Sequence, residues 1–150
     1  MKIVIQRVSK ASVTIEGKKV ASIQKGLLIL LGVVNEDTQE DIDYLVRKTT
    51  NLRIFNDEND VMNKSLLAID GEVIVVSQFT LHASTKKGNR PSYIKAAKPD
   101  VAIPLYEKFI ATLENETSKK VQTGKFGADM KVEILNDGPV TIIIDSKKIN

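Results

Sequence analysis

The sequence predicts an α/β protein with α+β character, mostly strands with two substantial helices. Three observations carry that expectation. Two long apolar runs, residues 26–34 and 72–81, are almost free of polar interruption until their ends, the pattern of strands buried on both faces. Two other segments repeat apolar residues at helical spacing: Ile42, Leu45, Val46 and Thr49, then Ala102, Leu105, Tyr106, Phe109, Ile110 and Leu113. The first and last stretches are rich in Val, Ile and Thr, which favour pleated, half-buried backbone.

Taken in order, residues 2–8 read as one strand and 11–15 as a second, with Glu16-Gly17-Lys18 turning into a third. The apolar strand 26–34 follows. A polar break at 35–39 introduces the first helix, which Asp37 or Thr38 can cap, and Leu52 extends its apolar stripe. Residues 56–60 form a turn-rich loop. The second apolar strand ends in Ser77-Gln78-Phe79-Thr80-Leu81, and a basic loop, Lys86-Lys87-Gly88-Asn89-Arg90-Pro91, comes next. Asp100 can cap the second helix, with Pro104 near its first turn, where a missing N–H costs least. Strands at 131–135 and 140–144 close the chain, joined by the turn residues Asn136-Asp137-Gly138-Pro139. No linker or change of composition divides the sequence, so residues 1–150 read as one domain.

Composition narrows the chemistry. Cysteine is absent and His82 is the single histidine, which excludes disulfides, thiolate nucleophiles and multi-histidine metal centres. No metal and no catalytic cofactor is expected. The start lacks signal-peptide anatomy and no apolar run is long enough to cross a bilayer, so the expectation is a soluble cytoplasmic protein. The net charge of +3 suits a polyanionic partner and equally a solvated, lysine-rich surface.

Several features compete as functional signals. A Ser77–His82 dyad is disfavoured because alternate strand residues face opposite ways and no Gly-x-Ser-x-Gly elbow is present. The end of the second apolar strand instead presents an amide and two hydroxyls, with Gln78 and Thr80 on one face if the strand persists. Ligands of α/β sheets gather beyond the carboxyl ends of strands, and backbone N–H groups freed there can hold an oxyanion; hydrogen bonding to neighbouring strands is the alternative. Gly138-Pro139 is either a plain turn or, if its peptide bond is cis, a device that aims backbone carbonyls at a ligand glycine lets approach. Lys86, Lys87 and Arg90 suit phosphates or simply solvent. Phe126 and Met130, around the small Gly127-Ala128 pair, suit a stacked base or core packing.

Together these segments resemble the D-aminoacyl-tRNA deacylase family. The likeness runs through Gln6-Arg7-Val8-Ser9-Lys10-Ala11-Ser12-Val13, Gly26-Leu27-Leu28-Ile29-Leu30-Leu31-Gly32-Val33, Ser77-Gln78-Phe79-Thr80-Leu81, Thr123-Gly124-Lys125-Phe126-Gly127-Ala128-Asp129-Met130 and Asn136-Asp137-Gly138-Pro139-Val140-Thr141. The resemblance implies a layered β/β/α fold and hydrolysis of the ester joining a D-amino acid, and glycine mischarged on tRNA(Ala), to tRNA. It implies a homodimer with the site at the subunit interface, where Gly138 and Pro139 of one subunit enter the pocket of the other. It places Gln78, Phe79 and Thr80 at the reaction, with Ser77, Arg7, Phe126, Met130, Gly138 and Pro139 around the substrate. Thr80 is a candidate nucleophile in such proteins. No base stands near it in sequence to activate it, so water assisted by the terminal 2′-hydroxyl is the preferred attack. A non-catalytic RNA-binding module and a purely structural protein are the competing classes.

Overall fold

A computed structural model describes residues 1–149. Its elements run β1 (Lys2–Ile15), β2 (Lys18–Ile23), β3 (Gly26–Gly32), α1 (Gln39–Asn51), β4 (Phe55–Asn56), β5 (Met62–Lys64), α2 (Leu66–Ile69), β6 (Glu72–Ser77), α3 (Pro99–Thr117), β7 (Gln122–Thr123) and β8 (Lys131–Asp145), with a 3-10 turn at Phe79–His82. One sheet has the order β2-β1-β3-β6-β7, with β8 also paired to β1, and β4 and β5 form a small hairpin. The mixed α/β class with two substantial helices is the one expected from the sequence.

β1 is the spine. It is one strand of 14 residues, where two were expected. Its first half pairs antiparallel with β3 and its second half with β2, while β8 follows the opposite edge. The pairing with β8 slips between Val8 and Lys10, beside the exposed Ser9 and Lys10, so the polar pair that looked like a break is an irregularity within a continuous strand.

Side-chain alternation then sorts the core into two layers. Ile3, Ile5, Leu27, Ile29, Leu31, Val73 and Val75 face α1 and α3, packing on Ile42, Leu45, Phe109 and Leu113. Leu28, Ile74 and Val76 point the other way, against Val8, Val13, Ala21 and Ile23. β3 and β6 are therefore covered on both faces, which is why their sequences are continuously apolar. They run parallel, Gly26 opposite Glu72 through Leu31 opposite Ser77. A Cβ on Gly26 would lie 1.8 Å from the Glu72 carbonyl oxygen, so only glycine permits that approach.

Thr38 caps α1, and the Asp41 carboxylate accepts its N–H at 2.8 Å. α3 begins earlier than expected: Lys98 is the cap, Pro99 is the first helical residue and Pro104 lies inside the helix. Two further corrections concern the strand ends nearest the site. The strand expected over 72–81 stops at Ser77, and Phe79–His82 winds into the 3-10 turn. The two strands expected at the carboxyl end are one, β8, of 15 residues. Residues 136–139 are not a hairpin but a bulge: β1 advances from Gln6 to Val8 while β8 runs from Thr141 back to Asn136. Among the described residues no helix is long and apolar enough to cross a membrane.

Candidate active site

β3 and β6 end together, and their carboxyl ends open into a cleft of about 270 Å³. The last strand bond is the Gln78 N–H donating to the Leu31 carbonyl at 2.8 Å. β3 stops at Gly32, which is crowded: a Cβ there would sit 3.0 Å from the His82 ring and 3.1 Å from the Gln78 carbonyl. With no neighbour left to pair with, the chain turns at Phe79. As the first N–H groups of a helical turn, those of Phe79 and Thr80 have no acceptor within it.

The turn keeps Gln78 and Thr80 together, although the strand does not persist. The Gln78 side-chain Nε2 donates to Thr80 Oγ1. His82 is turned away, its Nε2 buried without a partner beside Gly32. Thr80 thus has an amide donor at its oxygen, and among the described residues no carboxylate, histidine or lysine hydrogen-bonds to it.

Ser77, Gln78 and Phe79 line one side of the cleft and Phe126, Gly127, Ala128, Asp129 and Met130 the other. Gly124 seats the methionine: a Cβ there would fall 2.2 Å from the Met130 sulfur. Tyr106 from α3 forms part of the floor. Its ring meets Phe126 edge-on, centroids 5.7 Å apart, and its hydroxyl donates to the Val75 carbonyl at 3.4 Å. Burial pushes the Tyr106 phenol above its ordinary value, against an opposing hydrogen bond with Thr123, so it stands neutral at physiological pH. The cleft is apolar at its base apart from the Tyr106 hydroxyl, which is turned to Val75, with further polar side chains at Ser77, Gln78 and Asp129. Tyr106 was missed in the sequence because it sits on the apolar stripe of α3, where nothing separates a floor residue from a core residue.

Thr80, although bonded to Gln78, is not among the residues that line the cleft, and three further sequence-selected groups lie outside it. Gly138 and Pro139 project from the β8 bulge, exposed, and the bond between them is cis, the second of the two readings the sequence left open. Arg7, only 6% exposed, holds the bulge from below. Its Nε donates to the Asp137 carbonyl at 3.0 Å, its Nη1 to the Ile54 carbonyl at 2.7 Å and to Asn56 Oδ1 at 3.2 Å, and Asp137 Oδ2 is 3.7 Å away. Asn136 staples the other side: its Oδ1 accepts the Val140 N–H at 3.0 Å and its Nδ2 donates to Thr141 Oγ1 at 3.1 Å. Lys86, Lys87 and Arg90 lie exposed in a loop closed by paired backbone bonds between Ser84 and Ser92, 2.8 and 2.9 Å.

Fold and cleft together define a small mixed α/β protein with its site at the carboxyl end of a parallel strand pair, the position at which such sheets hold ligands. The family model described as D-Tyr-tRNA(Tyr) deacylase matches residues 4–145. The D-aminoacyl-tRNA deacylase of Flavobacterium johnsoniae is 70% identical over 147 residues, covering 98% of each chain. The solved structure of the c-Myc DNA Unwinding Element Binding Protein has a TM-score of 0.91 at 42% identity, covering 97% of this chain and 98% of that one. A probable eukaryotic D-amino acid tRNA deacylase superposes with a TM-score of 0.83 at 16% identity, covering 95% and 97%, which shows the shared fold. This chain belongs to the D-Tyr-tRNA(Tyr) deacylase family.

Proposed function

We propose that the cleft between Ser77 and Met130 is where the chain hydrolyses D-aminoacyl-tRNA, with the terminal adenosine between Phe126 and Met130 and the ester carbonyl at the Phe79 amide. Membership of its family makes the chain a hydrolase of the aminoacyl-tRNA ester, releasing free D-amino acid and tRNA. The observation that carries the site is the convergence, at one strand end, of backbone amides that have no acceptor within their turn with a flat apolar slot. Backbone N–H groups there meet the negative charge that develops on the carbonyl oxygen, and losing one such donor costs about 3 kcal/mol of transition-state stabilisation.

An aminoacyl ester is already activated, so the site needs little beyond positioning and charge stabilisation. Thr80 receives the Gln78 amide and has no base, which favours a positioning role over nucleophilic attack. Water, assisted by the 2′-hydroxyl of the terminal ribose, is the attacking group. Lys86, Lys87 and Arg90 take phosphates of the acceptor end. The substrate places the enzyme in the cytoplasm, where tRNA is charged.

Chirality is enforced by exclusion. Two copies pair so that Gly138 and Pro139 of one face the cleft of the other. What supports this is that β8 is an edge strand with Leu135 and Ile143 exposed, and that Gly138 and Pro139 are exposed and do not line their own cleft. Clamped by Arg7 and Asn136, the bulge carbonyls form a wall whose position depends on no rotamer of its own. A D-residue sends its side chain to solvent, an L-residue drives its Cβ into the wall, and glycine, lacking a Cβ, passes. A rigid clash rejects far better than attractive fit, which separates analogues by only about 1–3 kcal/mol.

The test is to incubate the protein with D-tyrosyl-tRNA and follow the ester. Cleavage that is lost in Phe79→Pro, which removes one amide, is the expected result. Binding without cleavage would make the chain an RNA-binding module instead. Undiminished cleavage of a 3′-charged tRNA ending in 2′-deoxyadenosine would eliminate the hydroxyl-assisted route.

A further inference from the structure

At the mouth of the cleft stands an apolar surface that shares Phe79 with it and extends beyond it to Tyr93 and Ile94. Phe79 and Tyr93 meet edge-on, ring centroids 5.1 Å apart and planes at 77°, yet they are 53% and 41% exposed. Ile94 beside them is 90% exposed. None of this is slack backbone. Tyr93 follows directly on the Ser84–Ser92 bonds that close the basic loop, the Ala96 N–H donates to the Tyr93 carbonyl at 3.0 Å, and the Ala97 N–H donates to the Val33 carbonyl at 2.9 Å. Ile94 and Lys95 are thereby fixed at the tip of a turn, with Tyr93 held against Phe79.

The charge along this segment is one-sided, with Asp129 on the far side of the cleft. Between Glu72 and Asp100 the chain has no acidic residue and five cations, Lys86, Lys87, Arg90, Lys95 and Lys98. All five are exposed, and among the described residues none forms a salt bridge. Rigid exposed aromatics interleaved with unpaired cations are the chemistry that holds single-stranded nucleic acid, bases on the rings and phosphates on the cations. Phe79 belongs both to the cleft lining and to this pair, so the two surfaces are continuous.

We propose that Tyr93 and Ile94, braced by Phe79, form a second base subsite that stacks the penultimate nucleotide of the RNA 3′ end, with Lys95 and Lys98 on the flanking phosphates. The proposal rests on the reading of the cleft as the seat of the terminal adenosine. The strand leaves the cleft past Phe79, lays its next base on the Tyr93 ring and carries its phosphates towards the basic loop. Occupation of this step fixes the direction in which the acceptor end departs, so the ester is held in register before the reaction begins.

The test uses a tRNA acceptor minihelix with 2-aminopurine in place of the penultimate or the terminal base, titrated against wild type, Tyr93→Ala, Tyr93→Phe and Ile94→Ser. In wild type both probes are quenched on binding. Tyr93→Ala relieves quenching at the penultimate position only and weakens binding on the order of ten-fold, within the range of one lost base stack, whereas Tyr93→Phe retains both. Ile94→Ser gives a smaller change of the same kind. Penultimate quenching unaltered in Tyr93→Ala overturns the subsite. So does a change of oligomeric state in Ile94→Ser by sedimentation, which would assign the patch to a second copy. D-tyrosyl-tRNA hydrolysis by wild type, measured alongside, separates the two failures: activity with no penultimate response refutes the subsite alone, and absence of activity refutes the underlying reading.

Discussion

Replacing Arg7 by Lys isolates the clamp beneath the Gly138-Pro139 bulge. Arginine presents a planar fork that reaches the Asp137 carbonyl, the Ile54 carbonyl and Asn56 Oδ1 at 3.0, 2.7 and 3.2 Å. A lysine keeps the charge but brings it to one nitrogen, which cannot reach partners on both β4 and the β8 bulge. One or two buried acceptors lose their donor, each costing about 1–3 kcal/mol, so Arg7→Lys should lose about 2–4 kcal/mol of stability. For a chain of this size that is roughly 5–15 °C in Tm. Thermal unfolding at fixed protein concentration measures it. Hydrolysis of D- and L-tyrosyl-tRNA, measured on the folded variant, should show lower discrimination as the wall loosens. A Tm within about 2 °C of wild type, a shift smaller than about 1 kcal/mol produces, would refute the clamp. Lowered stability with unchanged discrimination would detach Arg7 from the chirality wall.

Four other outcomes follow from the same geometry. Gly26→Ala forces a Cβ against the Glu72 carbonyl and should cost at least about 3 kcal/mol, the upper range for point changes; a soluble variant with a wild-type denaturant midpoint would contradict it. The triple alanine variant of Lys86, Lys87 and Arg90 should bind tRNA more weakly whatever the amino acid, with the log–log salt slope reduced by about 2–3, and an unchanged slope would show a merely solvated loop. Thr80→Ala should lower turnover on the order of ten-fold, the effect of losing one hydrogen bond of about 1.4 kcal/mol, and an aminoacyl ester trapped on Thr80 in wild type would defeat the positioning role. Burial raises the Asp41 carboxyl, but hydrogen bonds from Ser146, the Thr38 N–H and Lys147, with the amino terminus nearby, bring it down to about 2. Because the folded value lies below the unfolded one, its stabilisation of about 2 kcal/mol is present above pH 4 and lost as pH falls towards 2. Urea unfolding of Asp41→Asn from pH 7 to pH 2.5 should show a correspondingly flatter acid limb; parallel limbs would rule this out.

The strands β3 and β6 and both long helices were legible because their apolar periodicity reports directly which faces are covered. What escaped the sequence is tertiary. Asn136-Asp137-Gly138-Pro139 obeys every local turn rule, yet β1 continues alongside and captures residues on both flanks, so the turn residues form a bulge on an edge strand. Ser9 and Lys10 look like a break for the complementary reason: the irregularity is real, but β8 pairs across it. Phe79 to His82 leave the sheet because β3 ends at Gly32, a fact held by a different strand. Ser77, Gln78, Phe79, Phe126 and Met130 do meet in one cleft, selected by residue chemistry at the strand end and around Gly127. Arg7 carried no local sign of the bond to Asp137 that occupies it.

The most direct measurement is the ratio of initial hydrolysis rates for D-tyrosyl-tRNA and L-tyrosyl-tRNA under identical enzyme and salt, with glycyl-tRNA as the substrate that lacks a Cβ. Exclusion by a backbone wall requires the D-ester and the glycyl ester to be cleaved while the L-ester decays only at its spontaneous rate. Comparable cleavage of D- and L-esters, or protection of glycyl-tRNA alongside the L-ester, would contradict it.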